Sequence, residues 1–222
     1  VTAGIAHEIR NPLSGIYIYL KALKKVYNNM GEINSVLSII DKVEHASKKI
    51  ESIIKRVMDF SKPSKPKFVM TNINENIDEV TKLTAVSLRK KGIRFAKTLD
   101  PDIPECWNEP HLIEQVVLNL ITNAAEAMKE YAGEKAIEVK TFKGPDCVAI
   151  SIKDSGPGVP IASQSKIFDP FYTTKTNSSG IGLSICHRII TDHGGSLRLK
   201  SRTRSGAEFI IELPLEKKKG IL

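Results

Sequence analysis

Glu114-Gln-Val-Val-Leu-Asn-Leu-Ile-Thr-Asn-Ala-Ala-Glu-Ala-Met128 places two asparagines, Asn119 and Asn123, at helical spacing inside an otherwise favourable helix sequence. Asparagine is less suited to a helix interior than alanine by roughly 0.5 kcal/mol, so the pair needs a reason. Ile113, Val116, Val117, Leu120, Ile121, Ala124, Ala127 and Met128 recur at i, i+3, i+4 and i+7, which predicts an inward apolar face. Gln115, Asn119, Asn123 and Glu126 then form a polar edge on the other side. A carboxamide carries both a donor and an acceptor, and its oxygen suits a hard cation beside a phosphate. An ordinary solvated face is the alternative, and motifs elsewhere in the chain decide against it.

The 222 residues, 41% hydrophobic and 26% charged, suit one or two globular domains with a real core. No apolar run reaches the roughly 18 residues that span a bilayer, and no basic-then-apolar leader opens the chain. A cytoplasmic segment with no membrane contact of its own is expected. Cys106, Cys147 and Cys186 are widely spaced and odd in number, which argues against a disulfide framework or a zinc knuckle. The net charge of +8 comes from lysines scattered along the chain without an aromatic stacking platform, so no nucleic-acid partner is expected.

Outward from the asparagine helix, the apolar periodicity predicts a helix from Val1 to Tyr27 and a second from Ile33 to Phe60, with a turn at Asn28-Asn-Met-Gly31. One hairpin cannot cover so many aliphatic residues, so a second copy is expected to complete a four-helix bundle in a homodimer. Ser61-Lys-Pro-Ser-Lys-Pro-Lys67 stops the second helix, because proline blocks continuation and restricts its predecessor. Beyond it the pattern predicts helices at Asn74–Lys91, Pro110–Tyr131 and Ile181–His193, with Pro110 at a first helical position. Strands are expected at Ile93–Leu99, Ala136–Phe142, Val148–Asp154, Ser196–Lys200 and Ala207–Leu213. The expected class is α+β: a helical hairpin (1–62), a linker (63–69), an α/β sandwich with antiparallel pairs (70–216) and a basic tail (217–222).

Period-two alternation puts Asp154 on the face of Val148, Ile150 and Ile152, aiming an acid inward at a strand end, where it needs a donor partner. Gly156 and Gly158 remove side chains where a flat ligand would approach, and an adenine amino group is a donor of the right kind. A turn-capping aspartate is the plainer reading. Farther along, Ile167-Phe-Asp-Pro-Phe-Tyr-Thr-Thr-Lys175 leads through Thr176-Asn-Ser-Ser-Gly-Ile-Gly-Leu-Ser184 into a helix. Backbone amides at such a start favour phosphate. Phe168 and Phe171 suit either a lid anchor or core packing, and Lys175 suits contact with a terminal phosphate.

In this order the pieces resemble the ATP-binding module of sensor histidine kinases, of the Bergerat (GHKL) superfamily that also holds gyrase, mismatch-repair and heat-shock ATPases. Asn119 and Asn123 match the N box, Asp154, Gly156 and Gly158 the G1 box, Phe168 and Phe171 the F box, and Gly180, Gly182 and Leu183 the G2 box. The resemblance implies that Asn123 coordinates Mg²⁺, that Asp154 reads the adenine, and that Gly180 and Gly182 surround the phosphates with Thr174, Lys175 and Ser179 nearby. ATP-hydrolysing relatives carry a glutamate, a general base, where this chain has Asn119; an amide lacks that basicity and implies ATP kept intact for another nucleophile. Ser178 and Glu126 depart from the pattern, standing where many relatives have a glycine and a basic residue.

Ala6-His-Glu-Ile-Arg-Asn-Pro-Leu13 matches the family's H box. It is not a zinc-protease motif, since Asn11 stands where that motif has its second histidine. Neutral imidazole, with a pKa of about 6.5, is a competent nucleophile near neutral pH, and His7 is the expected phosphoacceptor. By resemblance Glu8 is the acid beside it. Asn11, one turn on, is implied to position water for dephosphorylation, and Pro12 is expected to loosen the helix locally. His45, His111, His187 and His193 lack such motifs and are read as members of surface salt bridges. The resemblance thus implies autophosphorylation followed by transfer to an aspartate of a response-regulator receiver domain. Because only six residues precede His7, an upstream sensor domain is expected to be missing. A non-catalytic scaffold and an ATP-hydrolysing conformational switch are the rival readings.

Overall fold

A computed structural model describes residues 2–28, 36–48, 50, 67–175, 180–201 and 206–216. They fall into two compact units: residues 1–63 with Pro170–Ile181, and Ser64–Asp169 with Gly182–Leu222.

In the first unit, α1 spans Thr2–Asn28 and passes through Pro12 without a break. Proline lacks the amide hydrogen that would bond the Glu8 carbonyl, so the helix lacks one rung yet continues, and Pro12 is buried. α2 covers 36–48. Asn28, expected in the turn, is the last residue of α1; residues 29–31 of that turn and the second half of the expected second helix lie outside the described residues. Leu13, Tyr17, Ile18 and Leu20 on α1, and Leu37 and Ile40 on α2, are exposed.

In the second unit, β1 (Val69–Thr71) pairs antiparallel with β3 (Cys106–Asn108) as a small two-stranded sheet. The main sheet holds β2 (Arg94–Thr98), β4 (Ala136–Lys143), β5 (Cys147–Asp154), β6 (Ser196–Ser201) and β7 (Ala207–Pro214), in the order β2-β4-β5-β7-β6. The expected antiparallel pairs are β4 with β5, β5 with β7 and β6 with β7; beside them β2 runs parallel to β4, pairing Phe95 with Ile137. A parallel pair needs a long crossover, and the chain between these strands supplies one containing β3 and α4 (Pro110–Ala127).

α3 (Ile73–Lys90) is capped by Asn72, whose side chain accepts the Asn74 N–H at 2.9 Å. α4 packs between α3 and α6 (Gly182–Asp192) and rests on β5, while the short α5 covers Ile161–Gln164. α4 ends at Ala127 rather than Tyr131, with Met128 as its cap. Its buried side is Ile113, Val116, Val117, Leu120, Ile121, Ala124 and Ala125. Ala127, expected inward, is exposed, because the helix ends there and the chain turns. With Ile73, Ile77, Ile150, Ile152, Ile190 and Ile211 also fully buried, each large aliphatic side chain contributes about 1.5–3 kcal/mol of burial. The alternate buried and half-buried residues of β7 follow from a sheet covered by helices on one face.

Candidate functional site

Asp154 closes β5 and is 5% exposed. Its Oδ1 accepts the N–H of Gly156 at 2.8 Å and of Ala207 at 3.3 Å, which fixes the plane of the carboxyl. Gly156 is required here: a Cβ would lie 2.9 Å from that oxygen and 3.1 Å from Met128 Cγ. Gly206, at φ +85°, is also required, since a Cβ would collide with the Asp154 carbonyl oxygen. Gly158 turns the chain away at φ +76°. Ser155 ties the strand end down, its hydroxyl donating to Glu134 O and accepting the Ala136 N–H at 2.8 Å. Sequence reasoning missed Met128, Gly206 and Ala207 as parts of this environment; Ala207 lies 53 residues from Asp154, and no local pattern links them.

Along α4, Asn119 and Asn123 are half-buried while Gln115 and Glu126 are exposed. The expected edge therefore divides into an inner pair of amides and an outer polar rim. Asn119 meets the start of α6: a Cβ on Gly182 would lie 2.8 Å from its Nδ2 and 2.9 Å from its Oδ1. Its Nδ2–H donates to Cys186 Sγ at 3.0 Å. Gly182 thus brings the first turn of α6, with its outward backbone N–H groups, against the polar edge of α4. Leu183 is half-buried beside it.

Phe168 is half-buried, edge-on to Phe209 at 6.5 Å between ring centres and tilted over His187 at 5.2 Å. Of its two expected roles, packing is the one these contacts describe. Phe171, Thr174, Lys175 and Gly180 belong to the other compact unit. There Phe171 adopts φ 67° and donates its N–H to Gly180 O at 3.0 Å. Gly180, at φ +63°, has no room for a Cβ, which would lie 2.5 Å from Phe171 C. Thr174 is exposed, and the Lys175 N–H bonds Thr173 Oγ1 at 3.0 Å. Ser178 and Ser179 lie outside the described residues.

His7 and Glu8 are helical within α1; their side chains lie outside the described residues. Asn11, one turn on, is exposed. With Pro12, Gly15 and Tyr19 it lines a groove whose other wall is Asp41, Lys42, His45 and Ala46 of α2.

His193, read above as a surface salt-bridge residue, is instead 4% exposed. Its Nε2 accepts the Glu109 N–H at 3.0 Å, its Nδ1–H donates to Ile189 O at 2.7 Å, and Phe68 stands edge-on at 4.9 Å. Burial holds its pKa below the usual value, and both bonds suit the neutral ring. His111 does pair with Glu114, at 3.3 Å. All three cysteines are free thiols, and burial raises Cys106 to about 11 and Cys186 to about 12. No described helix is long and apolar enough to cross a membrane.

Residues 1–66 match the His Kinase A (phospho-acceptor) domain model, and residues 108–217 match the histidine kinase-, DNA gyrase B- and HSP90-like ATPase model. The signal transduction histidine-protein kinase AtoS of Escherichia coli K12 is 31% identical over 96% of this chain and 34% of its own length. Sporulation kinase C of Bacillus subtilis 168 is 30% identical over 97% of this chain and 49% of its own. The chain thus spans a third to a half of the length of these curated relatives. The solved catalytic domain of histidine kinase ThkA is 38% identical over 67% of this chain and 96% of that one, with a TM-score of 0.61. ThkA crystallised with the response regulator protein TrrA is 33% identical over 98% of this chain and 62% of that one, with a TM-score of 0.81. With phosphoacceptor and ATPase models both matched, and such likeness to a solved catalytic domain, the chain belongs to the histidine kinases.

Proposed function

We propose that this chain is the catalytic core of a histidine kinase, which moves the γ-phosphoryl group of ATP to His7 and from there to an aspartate of a response-regulator receiver domain. The observation that carries the reading is the meeting of Asn119 with Gly182, which joins the amide edge of α4 to the first turn of α6. Asp154 is the purine-reading group, its orientation held by Gly156 and Ala207. The α6 start, with Gly182 and Leu183, is assigned to the phosphates, and the motif alone assigns Thr174, Lys175, Ser179 and Gly180 to them by resemblance. Phe168 and Phe171 precede that segment in the sequence.

Mg²⁺ fits the half-buried Asn123, whose amide oxygen is a hard ligand. Among the described residues no group of three or more His, Cys, Asp or Glu could hold a metal ion. Such an ion would therefore complete its shell with phosphate oxygens and water, as Mg²⁺ commonly does. Bound there, it would neutralise phosphate charge. Asn119 cannot take a proton from water, so hydrolysis is not promoted. His7 attacks with a neutral ring nitrogen while Glu8 accepts the proton from the other nitrogen. Asn11 orients water when the phosphoryl group is removed again.

The domain bounds 1–62, 63–69, 70–216 and 217–222 belong to this proposal, as does a homodimer. Exposed Leu13, Tyr17, Ile18, Leu20, Leu37 and Ile40 give the hairpin an apolar surface that a second copy would cover. Light scattering tests this, and a monomer mass at micromolar concentration contradicts it. The function is tested with γ-labelled ATP and Mg²⁺: the native chain takes up acid-labile, alkali-stable label, and His7→Gln takes up none. Phosphate release undiminished in His7→Gln would support a hydrolysing switch instead.

A further inference from the structure

We infer that Cys186 is a positioning residue for Asn119: its sulfur holds the Asn119 carboxamide by accepting Nδ2–H, so that the amide edge of α4 and the first turn of α6 keep one fixed register. This rests on the reading of Asn119 as a nucleotide-site group.

Gly182 and Cys186 are four residues apart on α6 and therefore share a face. Asn119 meets both, its Nδ2 3.0 Å from Cys186 Sγ and its amide under 3 Å from where a Gly182 Cβ would stand. The amide is thus bonded to α6 at Cys186 and lies close against it at Gly182, one turn away. The thiol is 1% exposed. Its sulfur also lies 3.9 Å from the Val116 carbonyl on α4, an acceptor for its single hydrogen. That leaves a sulfur lone pair, rather than a proton, for Asn119 Nδ2–H, while Oδ1 lies 2.9 Å from where a Gly182 Cβ would stand. The orientation of an asparagine amide is set by such a network. Burial raises this thiol to about 12, with the Asn119 bond acting in the opposite sense. It stays protonated near neutral pH, with no nucleophilic role. Its contribution is to decide which end of the Asn119 amide is presented.

A neutral thiol sulfur is a weak acceptor, so the expected effects are moderate. In the full chain, Cys186→Ala lowers kcat for labelling of His7 about fivefold to tenfold with a smaller change in KM for ATP. Cys186→Ser, which keeps an acceptor, restores most of that loss. In an Asn119→Ala background, Cys186→Ala has no further effect, whereas a role in packing alone would be additive. The Asn119 side-chain NH₂ resonances, assigned by their loss in Asn119→Ala, shift in Cys186→Ala. Thermal melting confirms that each variant is folded.

Unmoved NH₂ resonances, or additive losses in the double variant, overturn the inference. If the native chain takes up no label, the functional proposal fails while the resonances still decide the role of Cys186. If labelling is normal and the resonances do not respond, the inference alone fails.

Discussion

Replacing Asp154 by asparagine changes one atom and separates its two duties. Oδ1 holds the strand end by accepting from Gly156 at 2.8 Å and Ala207 at 3.3 Å. An asparagine oxygen can accept both bonds, so the fold should lose no more than about 1 kcal/mol. The second oxygen becomes an NH₂ group, which sets a donor against the donor of the purine amino group. A hydrogen bond to a charged group contributes about 1.5–3 kcal/mol, and about 1.4 kcal/mol corresponds to tenfold in affinity. Asp154→Asn should therefore raise the Kd for ADP about tenfold to 150-fold, with unfolding nearly unchanged. Titration calorimetry beside a denaturant melt measures both. A Kd within threefold of native in a folded variant would show that the purine is not read by this carboxyl.

Gly182→Ala should be destabilising although alanine favours helices by about 1 kcal/mol, because the new Cβ would stand 2.8 Å from Asn119 Nδ2 and overpacking costs about 1–3 kcal/mol. Nucleotide affinity should fall with it, and calorimetry showing native affinity would contradict the assignment of Asn119. His193 makes stability depend on pH. Its folded pKa lies below the unfolded value of about 6.5, so between the two the unfolded chain holds a proton that the folded chain refuses. Stability should be full above about 6.5 and fall as pH drops toward the folded pKa. His193→Ala should cost about 1–3 kcal/mol by stranding the Glu109 N–H, while the Ile189 carbonyl keeps the backbone N–H of residue 193, and should remove that pH dependence. Urea midpoints at about pH 7.5 and 5.5 test this, and an equal slope in native and variant would refute it.

The local pattern was enough for the elements that bear the site. The 3.6 period of 113–128 located α4 and its amide edge, and the alternation through Val148–Asp154 turned the acid inward. Features set by distant pairing were not legible. β1 and β3 are three residues each, too short for a period, and β2 joins β4 in parallel through a crossover that no local signal announces. The α4 terminus was placed too late because Lys129, Glu130 and Tyr131 are tolerable helix residues, and nothing there resembles a stop. Gly206 and Cys186 act on residues far along the chain, so their roles emerge only when β7 and α6 are in place. For His7 the case rests on the motif, and for Asn119 on motif and geometry together.

The most direct test is peptide mapping by mass spectrometry of the full chain after ATP and Mg²⁺, kept mildly alkaline so that phosphohistidine survives. The account predicts one added phosphoryl group on the peptide containing His7, absent when Asp154→Asn protein is treated alike at low ATP. A phosphoryl group on any other residue, or none on a chain that binds ADP normally, would contradict it.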